Sequence, residues 1–197
     1  MPNAIALLKS DHVAVRKLLR ELEGTTERGI KARERLVADI EREIKIHSQI
    51  EEELFYPTFK KAAEDTKSEE LFYEATEEHH VVDMVLPELK STSAKAPEFA
   101  AKAKVLKELV EHHAQEEETQ MFVQARRLLD EQQLRVLGEE MQKRKETLET
   151  MWTNPFLKPV KKLQGAVHRV MPSKIKNMKA NAIAAMSEDS GRPDRSR

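Results

Sequence analysis

His47-Ser48-Gln49-Ile50-Glu51-Glu52-Glu53-Leu54-Phe55-Tyr56-Pro57 is the stretch on which the reading of this chain turns. On an α-helix, side chains four residues apart lie on one face, one turn apart, so His47 and Glu51 project together. The residues before them place that face. Val37, Ile40 and Ile44 recur at steps of three and four, and the same stripe continues through His47 and Glu51 to Leu54. The imidazole and the carboxylate are therefore predicted to face a hydrophobic interior. An ionised carboxylate buried there without a partner costs several kcal/mol, so a positive charge has to meet it.

The pattern occurs twice. His113, Glu117, Met121 and Phe122 align with His47, Glu51, Phe55 and Tyr56, at an offset of 66 (47 to 113). The preceding helices align as well. Asp11-His12-Val13-Ala14-Val15 stands against Glu78-His79-His80-Val81-Val82, and Leu18 to Leu22 against Val85 to Leu89, at an offset of 67 (12 to 79). Stripes run through Ile5, Leu8, His12, Val15, Leu19 and Leu22, through Phe72, Ala75, His79, Val82, Leu86 and Leu89, and through Leu106, Val110, His113, Glu117 and Met121. Two helical hairpins of one design predict an all-α, antiparallel up-down four-helix bundle with pseudo-twofold symmetry.

The breaks fit this layout. Gly24-Thr25 ends the first helix, the second runs from near Arg28 or Lys31 to about Lys61, and Pro57 should kink or tighten its last turns. Asp65 to Ser68 reads as a polar connection, Ser91 to Pro97 as a loop, and the fourth helix begins near Glu98. A fifth stripe, Leu134, Leu137, Met141, Leu148 and Trp152, breaks at Asn154-Pro155. The expected organisation is a bundle over 1–130 and a C-terminal helical extension over 131–197 with a basic, partly disordered tail. From Met151 onward ten Lys/Arg against three Asp/Glu give +7, which leaves −8 for the remainder and −1 overall.

Two carboxylates and four imidazoles converging in one core point to a metal ion of high charge. The chain has no cysteine, which excludes disulfides, thiolate zinc sites, iron–sulfur clusters and cysteine nucleophiles. The ligands must therefore be nitrogen and oxygen, and the repeat selects His12, His47, Glu51, His79, His113 and Glu117. Two adjacent pairs leave the register open: His80 beside His79, and His112 with Glu116 beside His113 with Glu117. Glu52, Glu53, Glu116 and Glu118 read as solvated faces or as groups behind the ligands, and Asp11 and Glu78 as candidates to orient a ligating His.

These residues resemble the hemerythrin-like (HHE cation-binding) family, with its His, His-x-x-x-Glu, His, His-x-x-x-Glu pattern, over roughly His12 to Phe122. The run from His47 to Pro57 is similar to the family's His-x-x-x-Glu-Glu run ending in an aromatic and Pro, whereas Val123 stands where the second copy would have Pro. The resemblance implies a non-haem di-iron centre, oxo- or hydroxo-bridged, with Glu51 and Glu117 bridging. Imidazole and carboxylate suit manganese and zinc as well. The oxygen carriers of the family use a fifth His one turn after the third-helix ligand. That place holds Asp83 or Met84 here, which favours redox or small-molecule chemistry over reversible oxygen carriage.

The function expected is a di-iron protein that binds or senses dioxygen, nitric oxide or iron itself. An oxidoreductase decomposing peroxide or nitric oxide at the same irons is the alternative. A helical adaptor with core histidines is the third reading, separated from the others by metal content. No nucleic-acid motif is present. The basic tail (Lys158, Lys161, Lys162, Arg169, Lys174, Lys176, Lys179) could contact an acidic surface, though a solubilising extension is the simpler reading. Without a signal peptide or a membrane-length apolar run, a cytoplasmic protein is expected.

Overall fold

The computed structural model describes residues 2–63 and 66–154, with the Thr66 side chain left aside. Helix α1 (Ala4–Glu23) starts where the Asn3 side chain accepts the Ala6 amide hydrogen at 2.9 Å, and it ends at Gly24. All six residues of its predicted stripe are buried. Helix α2 (Ile30–Ile50) returns antiparallel and runs through a π-helical turn, Glu51–Phe55, into α3 (Tyr56–Ala62). The second hairpin repeats the design: α4 (Thr66–Ser91), α5 (Pro97–Glu116), a π-helical turn over Glu117–Met121, then α6 (Phe122–Leu128). The result is the four-helix bundle of two like hairpins. Helix α4 begins inside the segment expected as a polar connection, and Ser68 is fully buried.

The π-turns correct one expectation. In each, the amide five residues on donates to the carbonyl of the Glu that opens the turn: Tyr56 to Glu51, and Phe122 to Glu117. The extra residue turns everything downstream by about 100° relative to an α-helix. A continuous α-helical stripe would send Leu54 inward; instead Phe55 (0% exposed) and Tyr56 (1%) fill the core, and Leu54 is partly buried. Pro57 follows in the first turn of α3, so the helix widens just before the proline rather than tightening at it.

Two apolar clusters bracket a polar layer. On one side lie Val15, Leu19, Ile40, Val82, Leu86 and Leu106, and on the other Ile5, Leu8, Ile50, Phe55, Phe59 and Phe122. The second cluster is enlarged by α7 (Glu131–Thr153), which opens with a capping box of Asp130 and Gln133. Leu134, Leu137, Met141 and Leu148 of α7 are buried, whereas Trp152 is 41% exposed and ends the stripe early. Gly138 lies where a Cβ would stand 2.6 Å from the Ala4 nitrogen, so its lack of a side chain lets α7 seat on the start of α1. The basic tail beyond Pro155 lies outside the described residues. Among those described, no helix is long and apolar enough to cross a membrane.

Candidate metal centre

The polar layer is built at the middle of the bundle from four helices. His12 comes from α1, His47 from α2, His79 from α4 and His113 from α5, and Glu51 and Glu117 open the two π-turns. The structure brings these six sequence-selected side chains into one buried cluster, none more than 7% exposed. They form two overlapping groups able to hold an ion: His12, His47, Glu51 and Glu117, and Glu51, His79 and His113. Glu51 belongs to both, with Oε1 3.2 Å from His47 Nε2 and Oε2 3.3 Å from His79 Nε2. Glu117 also spans the two, since its Oε2 lies 3.1 Å from His12 Nε2 and 3.6 Å from His113 Nε2.

Three of the four imidazoles are held from behind by a hydrogen bond. The Nδ1 of His12 faces Glu118 at 2.9 Å, that of His79 faces Glu52 at 3.0 Å, and that of His113 faces Glu78 at 2.9 Å. Asp11 stands in the equivalent place behind His47, but at 3.6 Å from Nδ1 its Oδ2 makes an ion-pair contact rather than a hydrogen bond, and both atoms are buried without a hydrogen-bond partner. These contacts follow the pseudo-twofold: Glu52 and Glu118 occupy matching positions of the π-turns, and Asp11 and Glu78 each precede a clustered His in sequence. Asp11 and Glu78 do not serve the His beside them, however; each reaches the His of the neighbouring helix. A carboxylate on Nδ1 fixes the proton there and leaves Nε2 as a lone pair aimed inward.

That tautomer makes the cluster fit a metal. His12 and His47 place their Nε2 atoms 3.1 Å apart, and His79 and His113 place theirs 3.2 Å apart. Lone pairs at that distance repel unless a cation lies between them. Both oxygens of Glu51 and Oε2 of Glu117 are buried and accept no hydrogen bond, although the imidazoles are near. Two ligands each about 2.1 Å from one ion, at a tetrahedral angle, stand about 3.4 Å apart, which is the spacing seen here. The spacings suit the edges of a coordination shell.

The electrostatics agree. Burial disfavours charge on His47, but Glu51 and Asp11 outweigh it and raise its pKa to about 10. For His79, burial is again outweighed, by the carboxylates of Glu51 and Glu52, and the pKa rises to about 9. Glu51, despite complete burial, is held well below the carboxylate range by His47 and His79. Without metal, protons supply the positive charge that the two central carboxylates require.

Some neighbours were not foreseen. The Tyr56 hydroxyl donates to Glu117 Oε1 at 2.9 Å and lies 3.4 Å from His79 Nε2. The π-turn puts it there, and an α-helical reading of the sequence has no means to. Burial and the nearby carboxylates push the Tyr56 pKa well above its usual value, so it keeps its proton. Lys145 of α7 donates to Asp11, and Arg16 to Glu118 at 2.7 Å. Other candidates fall away from the cluster. His80 is exposed, Asp83 is exposed and paired with Lys45, and Met84 is 39% exposed. Glu53 pairs with Arg144 at the surface.

Comparison with known proteins agrees with this geometry. A family model described as the hemerythrin HHE cation binding domain matches residues 3–125, and the chain belongs to that family. It is similar to a hemerythrin HHE cation binding domain-containing protein from Mycobacterium kansasii, solved by crystallography. Identity is 30% and the TM-score 0.67, over 76% of this chain and 89% of that one. It is also 26% identical over 127 residues to a DNA nickase of Nostoc sp. (strain PCC 7120 / SAG 25.82 / UTEX 2576). The match takes in 64% of this chain but 34% of that relative, so the chain spans about a third of the curated protein it matches.

Proposed function

We propose that this protein is a non-haem di-iron protein that binds or senses a small molecule, dioxygen or nitric oxide, or iron itself. The observation that carries the reading is Glu51, whose two oxygens face imidazoles of different groups, as a carboxylate shared by two ions would. His12, His47 and Glu51 with Glu117 would hold one ion, and His79 and His113 with the same two carboxylates the other. The ligand chemistry suits iron, manganese and zinc alike, and iron is preferred on family grounds. When bound, iron supplies electrons and an open position for a small ligand.

The chain's own residues do the rest. Glu118, Glu52 and Glu78 orient three of the imidazoles, and Asp11 places a negative charge behind the fourth, His47. The apolar clusters on either side limit water. Tyr56 holds a proton at the oxygen of Glu117 that does not face His12. That proton also supports a second reading, an oxidoreductase acting on peroxide or nitric oxide, because a donor inside the cluster can serve a reacting oxygen. The exposed Asp83 and Met84 supply no fifth imidazole, which favours either reading over reversible oxygen carriage.

The test is anaerobic reconstitution with ferrous iron, elemental analysis, and stopped-flow mixing with oxygen and with peroxide. About two irons per chain are expected, with oxidation in air and no long-lived oxygenated form. One iron or none would overturn the di-iron reading, and an oxygenated spectrum that reverses on degassing would restore a carrier. Stoichiometric binding without turnover favours the sensor, and repeated turnover of peroxide or nitric oxide the enzyme.

A further inference from the structure

Helix α5 carries two His-x-x-x-Glu pairs, offset by one residue: His113 with Glu117, and His112 with Glu116. In the sequence they read as rival registers of one site. The fold separates them. The first pair enters the buried cluster, and the second, about 100° around the helix, faces Glu78 of α4. Glu78 lies between the two, with Oε2 2.9 Å from His113 Nδ1 and Oε1 3.5 Å from His112 Nε2. Glu116 Oε1 stands 3.6 Å from the same His112 nitrogen.

We propose that Glu78, His112 and Glu116 form an accessory site for a divalent transition-metal ion, from which ions pass into the buried cluster. The passage rests on the buried cluster being the metal centre; the accessory site does not. Three observations carry the proposal. The first is spacing. Separations of 3.5 and 3.6 Å exceed a good N–H···O bond and match the edge of about 3.4 Å expected of ligands sharing one ion.

The second is a break in the pseudo-twofold. The counterparts of His112 and Glu116 in the first hairpin are Ile46 and Ile50, both buried in the core that α7 covers. The counterpart of Glu78 is Asp11, which accepts from Lys145 of α7. Where the first half has an apolar pair and a lysine, the second half has an imidazole and two carboxylates. The His112 side chain is 35% exposed, so the group opens to solvent. The cover of α7 accounts for apolar residues on the first face and polar ones on the second, but not for an imidazole set between two carboxylates.

The third is a route. A small cavity is bordered by Glu74, Glu78, Glu116 and Glu117, so it touches both the accessory group and the buried cluster. An ion held by one imidazole and two carboxylates keeps water in its remaining positions and exchanges faster than one in a closed shell. Leu71, Ala75 and Met121 complete the cavity lining beside the four carboxylates, and Glu78 and Glu116 of the accessory group share it with Glu117.

The test uses cobalt(II) and the full chain, stripped of metal and reloaded anaerobically, with elemental analysis and the time course of the cobalt absorption bands. His112→Ala and Glu116→Gln should each bind one ion fewer per chain than the unaltered protein. Each should also fill the buried cluster several-fold more slowly, with circular dichroism unchanged. An ion count equal to that of the unaltered protein in both variants overturns the accessory site. One ion lost with loading at the original rate overturns the passage. The parent reading is separated by His47→Ala: if that variant loses no metal while His112→Ala does, the buried cluster is not the metal centre and the accessory site stands alone.

Discussion

Glu118 accepts the Nδ1 hydrogen of His12 at 2.9 Å across 106 positions of sequence, and Arg16 holds the same oxygen at 2.7 Å. The contact joins the second π-turn to the first helix and sets the angle of the imidazole. Removal of such an orienting carboxylate lowers metal affinity by about 10–100-fold. Glu118→Ala should show that loss in a chelator competition. An affinity equal to that of the parent protein would mean that packing alone sets the ring.

The adjacent histidines of α4 should separate cleanly. His79 is buried beside Glu51, whereas His80 is exposed. His79→Ala should lose metal on elemental analysis, and His80→Ala should retain the full complement. Loss in His80→Ala with retention in His79→Ala would require a different rotation of α4.

Tyr56→Phe should keep the metal count and reduce stability. The change leaves Glu117 Oε1 buried without its donor, which costs about 1–3 kcal/mol. Denaturant midpoints of the metal-free protein measure this. An unchanged midpoint would show that another donor reaches the carboxylate.

The metal-free protein should lose stability as the solution is made alkaline. His47 and His79 have folded pKa values raised to about 10 and about 9 from 6.5. Their contribution is therefore complete below pH 6.5 and disappears as the pH rises through those folded values. Calorimetry of chelator-treated protein should show Tm falling between pH 7 and 10. The metal-loaded protein, whose imidazoles are already neutral, should hold its Tm better over the same window. Equal slopes for the two forms would contradict the assignment.

Gly138→Ala offers a test of α7 docking. In an exposed helix interior this substitution stabilises by about 1 kcal/mol. Here the new Cβ would stand 2.6–2.7 Å from backbone atoms of residues 2–4, which cannot swing aside as a side chain can. Destabilisation by about 1–3 kcal/mol is expected, measured by thermal melting. A rise in Tm would mean that α7 sits farther from α1 than described.

Much of this was legible beforehand because the bundle is written twice. The stripe of α1 holds at every position, and the repeat picked out all six residues that gather at the centre. His79 was also readable in principle, since it continues Ala75 and Val82 by steps of four and three and His80 does not. Tyr56 was not readable. Leu54 and Phe55 are both apolar, so an α-helical stripe runs on through Leu54 without protest, and only the backbone bond from Tyr56 to Glu51 reveals the change of phase. The contact of Lys145 with Asp11, 134 residues apart, has no local signature at all.

The crosswise sharing of Glu51 and Glu117 has a consequence for synthesis of the chain. The first hairpin emerges from the ribosome carrying His12, His47 and Glu51, yet its group is finished only by Glu117, near the end of the second hairpin. The second hairpin, in turn, borrows Glu51 from the first. Domains that fold as units during translation usually settle in order from the N-terminus. Here neither half holds a complete buried group of its own, so a nascent chain cannot assemble the central cluster until both hairpins are out and docked. Assembly of the buried cluster is thereby postponed to the last act of folding, and a chain cut short before Glu117 leaves the ribosome with the first group incomplete.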